Sequence, residues 1–120
     1  MGKWKVTVRH GSSVSRERFA TLDEAIDYTR GRVEEIRREG RLPAISVFRT
    51  HPPDQRVHAR IEISGPDLIR APEGGIDVMG DGTVIPYTGA IRKETISAET
   101  LDEAFERLQS ALDRGRGRGR

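Results

Sequence analysis

The phrase Thr21-Leu22-Asp23-Glu24-Ala25 recurs as Thr100-Leu101-Asp102-Glu103-Ala104, each time between a strand-like run and an amphipathic segment. Thr followed three residues later by Glu is a capping box. The hydroxyl accepts from the third helical N–H, and the carboxylate accepts from the cap's own N–H. Two helices therefore have fixed starting points, and a duplicated strand–helix unit is expected. The phrase constrains architecture and carries no chemistry.

From the first cap, Leu22, Ala25, Ile26, Thr29, Val33 and Ile36 recur at three- and four-residue steps. This predicts a helix from Thr21 to about Glu39, stopped by Gly40 with Pro43 just beyond. From the second, Leu101, Ala104, Phe105, Leu108 and Leu112 predict a helix over Thr100 to Leu112. The other segments alternate with the period of a half-buried strand. Trp4, Val6 and Val8 alternate with Lys3, Lys5, Thr7 and Arg9. Beyond the turn at His10-Gly11-Ser12-Ser13, the polar run Val14 to Phe19 reads as an edge strand. Ile45, Val47 and Phe48 suggest a third strand, and His51-Pro52-Pro53-Asp54-Gln55 a stiff loop. Val57, Ala59, Ile61 and Ile63 alternate with His58, Arg60, Glu62 and Ser64. Gly65 to Gly75 reads as a loop. Ile76 to Met79 and Thr83 to Pro86 flank a Gly80-Asp81-Gly82 turn, and Ala90 to Ile96 closes the set as a last strand. Strands and tight hairpins without a glycine-rich crossover predict an α+β two-layer sandwich, a mainly antiparallel sheet with both helices on one face.

The charge is unevenly placed. The chain has 21 basic and 19 acidic residues, a net of +2. Residues 114–120 read Arg-Gly-Arg-Gly-Arg-Gly-Arg, and without those four arginines 17 basic residues face 19 acidic ones, a net of −2 over residues 1–113. The expected organisation is a single domain over 1–113 and a disordered Arg-Gly tail over 114–120. With no cysteine, disulfides, thiolate catalysis and Cys-based zinc sites are excluded. No apolar run approaches the roughly 20 residues of a membrane helix, so a cytoplasmic protein without membrane contact is expected.

No catalytic arrangement stands out. His10, His51 and His58, with Asp54, are the only histidine-based candidates; none of the three has a helical i, i+4 partner, and they read as surface histidines with no metal. Gly74-Gly75 and Gly80-Asp81-Gly82 precede no helix and read as turn glycines rather than a phosphate cradle. Gly11-Ser12-Ser13 is not a nucleophile elbow. A non-enzymatic chain without cofactor is expected.

The segment from Phe19 to Pro43, with its Thr-Leu-Asp-Glu-Ala-Ile entry and Glu-Gly-Arg-Leu-Pro exit, is similar to the strand–helix segment of HicB-type antitoxins. The aromatic-proline-glycine-cysteine segment typical of that family has no counterpart upstream of Thr21, and no functional residues carry over.

The functional expectation rests on arginine and lysine. Arg114, Arg116, Arg118 and Arg120 carry permanent planar charges suited to phosphate, separated by glycine. Lys3, Lys5 and Arg9, then Arg16 and Arg18, then His58 and Arg60, all alternate away from the apolar face of their strands, with Glu17 and Glu62 interrupting. These residues suggest non-specific contact with the DNA or RNA backbone. The alternative is a protein-interaction module without nucleic-acid contact, either a homodimer formed through the open sheet face or an edge strand, or an antitoxin-like regulator.

Overall fold

Alternation of Trp4, Val6 and Val8 with Lys5, Thr7 and Arg9 produces β1 (Trp4–His10). Gly11 takes a φ of 63°, the positive value that a two-residue hairpin requires, and turns the chain into β2 (Ser13–Phe19). The computed structural model describes residues 3–40, 46–47, 57–66, 73–80, 82–89 and 94–117. The order continues with α1 (Leu22–Glu39), β3 (Ser46–Val47), β4 (Val57–Ser64), β5 (Glu73–Met79), β6 (Thr83–Thr88), β7 (Glu94–Thr95) and α2 (Leu101–Gly117).

The strands form one sheet in the order β2-β1-β4-β5-β6, antiparallel throughout. On the far side of β6, β3 pairs in parallel beside Thr83 and Val84, and β7 pairs antiparallel beside Tyr87 and Thr88. Both helices cover the same face, α1 over β1, β2 and β4 and α2 over β5 and β6. The fold is the two-layer α+β sandwich that the patterning predicts. Its core joins Trp4, Val6, Val8, Ile61, Ile63, Ile76, Val78 and Val84 from the sheet to Ile26, Val33 and Ile36 of α1 and Phe105, Leu108 and Leu112 of α2. Each is nearly or wholly buried and contributes about 1.5–3 kcal/mol relative to exposure.

The repeated phrase does more than start the helices. Thr21 Oγ1 accepts from the N–H of Glu24 at 3.2 Å, and Glu24 Oε1 accepts from the N–H of Thr21 at 3.1 Å. Thr100 Oγ1 accepts from the N–H of Glu103 at 3.1 Å, whereas Glu103 reaches one residue further, to the N–H of Glu99 at 2.8 Å. The two helices then exchange contacts reciprocally. Asp102 accepts from Arg30 at 2.5 Å, and Asp23 accepts from Gln109. Arg30 and Gln109 stand at equivalent positions, two turns beyond their own phrase's Asp. The equivalence of the two phrases thus extends to the interface between the two helices.

Two boundaries differ from the sequence reading. The stretch read as a loop to Gly75 gives way at Glu73 to β5, which takes Gly74 and Gly75 into the middle of the sheet. Of the last strand, read over Ala90 to Ile96, Glu94–Thr95 is strand and is followed by a bond from the N–H of Ile96 to the Pro86 carbonyl at 2.8 Å; residues 90–93 lie outside the described residues. The backbone of α2 continues to Gly117, so residues 114–117, assigned to a disordered tail, extend a helix despite the roughly 1 kcal/mol that each of Gly115 and Gly117 costs relative to Ala. Arg118 and Arg120 lie outside the described residues, as do His51, Asp54 and the Pro-Pro loop.

Candidate nucleic-acid interface

Directly opposed residues of antiparallel strands share a face, so the register decides which charges meet. Lys5 lies opposite Arg18 on one side and Ser64 on the other. Thr7 lies opposite Arg16 and Glu62, and Arg9 opposite Val14 and Arg60. Across β4 and β5, Arg60 faces Asp77, Glu62 faces Gly75, and Ser64 faces Glu73. Tyr87 of β6 lies opposite Gly75. All of these side chains occupy the face away from the helices. The register therefore brings Lys5, Arg9, Arg16, Arg18 and Arg60 onto one surface, and strand alternation adds Lys3.

The charge on this face is graded. The half formed by β1 and β2 bears only cations, while Glu62, Glu73 and Asp77 lie on β4 and β5. Glu17, which the sequence places among the interruptions, pairs with Val6 and so belongs to the opposite face. Two of the six sheet cations are already matched. Arg60 binds Asp77 with both arms of its fork, at 2.6 and 2.9 Å, and Arg9 Nε meets Glu62 Oε1 at 3.1 Å. Donation to Asp77 holds the Arg60 guanidinium above its ordinary value, outweighing the opposing effect of burial. Among the described residues, no carboxylate lies within ion-pair distance of Lys3, Lys5, Arg16 or Arg18. Lys5 and Arg18 are like charges set directly opposite each other, an arrangement that is destabilising without an anion between them.

Beside these cations lies a depression of about 210 Å³ on the open face, lined by Lys5, Thr7, Arg9, Arg16, Glu62, Ser64, Glu73 and Tyr87 among others. Tyr87 is 4% exposed, and its ring lies 5.8 Å from the Arg60 guanidinium carbon. Burial, then the charges of Asp77 and Glu62, push its phenol far above the usual value near 10. A phenol kept neutral by the fold but free to ionise once unfolded lowers stability as pH climbs above about 10. We expect Tyr87 phenolate absorbance at 295 nm to appear only with alkaline unfolding, and Tyr87→Phe to delete that step. Ionisation of Tyr87 while the fold is intact would contradict its burial.

Among the described residues, His58, Arg114 and Arg116 are placed elsewhere. Arg114 and Arg116 belong to α2, on the other side of the sheet. His58 also leaves the polar face. The register of β4 shifts between Val57 and Ala59, and this bulge carries the imidazole round to His10 and the C-terminal end of α1. No group of three or more His, Asp or Glu residues suited to a metal occurs among the described residues. Among the same residues, no helix is long and apolar enough to cross a membrane. Comparison with protein-family models, with curated proteins and with solved structures finds no significant match to this chain. The class that fold and surface define is a small α+β sandwich whose second, electrically graded sheet face carries no helix among the described residues.

Proposed function

We propose that the protein binds the phosphate backbone of nucleic acid, without catalysis and with little sequence discrimination, through the β1–β2 half of its open sheet face. The observation that carries this reading is Lys5 set directly opposite Arg18, with Arg16 and Lys3 beside them and no acid on that half of the face. Phosphate entering between these side chains relieves their mutual repulsion as well as neutralising charge. Arg60 and Arg9 contribute less, because Asp77 and Glu62 already hold them. Arg114 and Arg116, whose backbone belongs to α2, supply further charge as a separate contact.

Edge pairing between two copies is less favoured. β2 with itself in full-length antiparallel register sets Arg16 against its own copy, a like-charge contact of the kind that protects edge strands.

Four phosphate contacts predict a salt slope near −2.8 on a single strand. In fluorescence anisotropy with a labelled oligonucleotide at about 50 mM salt, Arg16→Glu with Arg18→Glu is expected to weaken binding at least about tenfold and roughly halve the slope. An unchanged Kd in that double variant, with binding lost on truncation after Asp113, would remove the sheet face from the function.

A further inference from the structure

Two imidazoles from distant parts of the chain meet at one end of the sheet. His10 closes β1 and His58 sits at the β4 bulge, and their Nε2 atoms are 3.0 Å apart. We infer that His10 and His58 form a two-imidazole site for a borderline divalent transition-metal ion such as Zn²⁺, Ni²⁺ or Co²⁺, with water completing the coordination.

The geometry suits an ion. Two nitrogens on one metal at 2.0–2.1 Å are separated by roughly 2.9 Å at a right angle and about 3.3 Å at the tetrahedral angle. The observed separation lies between these limits. A straight imidazole–imidazole hydrogen bond of this length would hold the ring centres roughly 5.3 Å apart. They stand at 4.8 Å with the planes inclined by 56°, so the rings are bent off that line. Two nitrogens at this separation can both reach one ion about 2 Å away, which is a zinc–nitrogen bond length.

The surroundings give independent support. A Cβ on Gly40 would lie 2.8 Å from His58 Nε2, so any side chain at the α1 C-cap would crowd this nitrogen. The end of an α-helix presents carbonyls without helical partners and the negative pole of the macrodipole, both of which favour a cation. Of the basic residues in that last turn, Arg37 is tied back to Glu34 and Arg38 is exposed. Imidazole with water is a donor set for zinc, nickel and cobalt rather than for calcium or magnesium. Both rings are half-buried, which leaves access for the ion and its water ligands.

The full, tag-free chain is titrated with Zn²⁺ alone by calorimetry and with Ni²⁺ alone by ¹H–¹⁵N correlation spectroscopy. One ion per chain is expected, with paramagnetic broadening centred on His10, His58 and Gly40. At about a hundredfold excess over Kd, Zn²⁺ should raise the thermal midpoint by about 10 °C. Losing an outer hydrogen-bond partner already costs about 10–100-fold in metal affinity, so His10→Gln or His58→Gln, each removing a ligand, should cost at least about tenfold. His51→Gln should leave binding intact. A hydrogen-bonded imidazole pair only, shown by no saturable binding below about 1 mM, overturns the inference. So does binding that His51→Gln abolishes while His10→Gln spares it. Because the broadening is read on the unaltered chain, a poorly folded variant does not remove the test.

Discussion

Gly75→Ala is expected to destabilise the protein by about 3 kcal/mol, at the upper end of the range for forcing extra atoms into a packed interior. The added Cβ would stand 2.0 Å from the Ile61 carbonyl oxygen and 2.8 Å from the Tyr87 hydroxyl. The first neighbour is backbone, held by the β4–β5 ladder, and cannot swing aside as a side chain tip can. Relief requires β4 and β5 to separate at the centre of the sheet, where Ile61 and Ile76 are fully buried. Urea denaturation should show a lower midpoint with an unchanged slope, and the thermal midpoint should fall by about 10 °C or more. Gly31→Ala supplies the contrast: a Cβ there meets nothing within 4 Å, and helix propensity should yield a gain of up to about 1 kcal/mol. Equal effects at the two positions would mean that the close approach at Gly75 is not real.

Gly74 and Gly75 also show where a sequence stops being legible. Two adjacent glycines after a Pro-rich stretch have the local signature of a turn. Their actual requirement is imposed by the close approach of β4 and β6, the strands paired on either side of β5. His58 makes the same point. Perfect alternation through Val57 to Ile63 places it on the open face, and a bulge that no local residue announces turns it towards His10. What depends on a residue and its near neighbours is readable: the capping phrases, the apolar stripes of both helices, and the strands whose alternation is intact. The shared face of Lys5, Arg18 and Arg60 is readable in part, because parity fixes each residue's face within its own strand. Only strand order makes three such faces one surface. Strand order also introduces the acids that the sequence leaves out, since nothing local connects Asp77 with Arg60 or Glu73 with Ser64. The charge grading across the sheet, which confines the proposed phosphate contact to β1 and β2, follows from tertiary pairing alone.

That pairing makes the Arg60–Asp77 contact both a structural element and a limit on the binding face, and its two halves are expected to respond unequally to mutation. Asp77 is 13% exposed and Arg60 31% exposed. Arg60→Met removes both donors from a carboxylate that water hardly reaches. An uncompensated buried charge costs about 3–5 kcal/mol, and partial exposure reduces this to about 2 kcal/mol here. Asp77→Asn should cost only about 1 kcal/mol, because the guanidinium it releases keeps access to water and to the Tyr87 ring. Arg60→Met combined with Asp77→Asn should recover much of the loss of Arg60→Met alone, since no charge is then left unpaired. Urea denaturation of the four proteins measures this as a coupling energy, and simple additivity would show that the bidentate contact carries no net interaction. Asp77→Asn has a second consequence that separates structure from function. It frees one more cation on the open face, so oligonucleotide binding should tighten and the salt slope should steepen by up to about 0.7 on a single strand. A variant slightly less stable yet tighter-binding is difficult to reconcile with any interface elsewhere on the molecule. If Asp77→Asn instead leaves affinity and slope unchanged, Arg60 does not face the phosphate, and the contact is confined to Lys3, Lys5, Arg16 and Arg18.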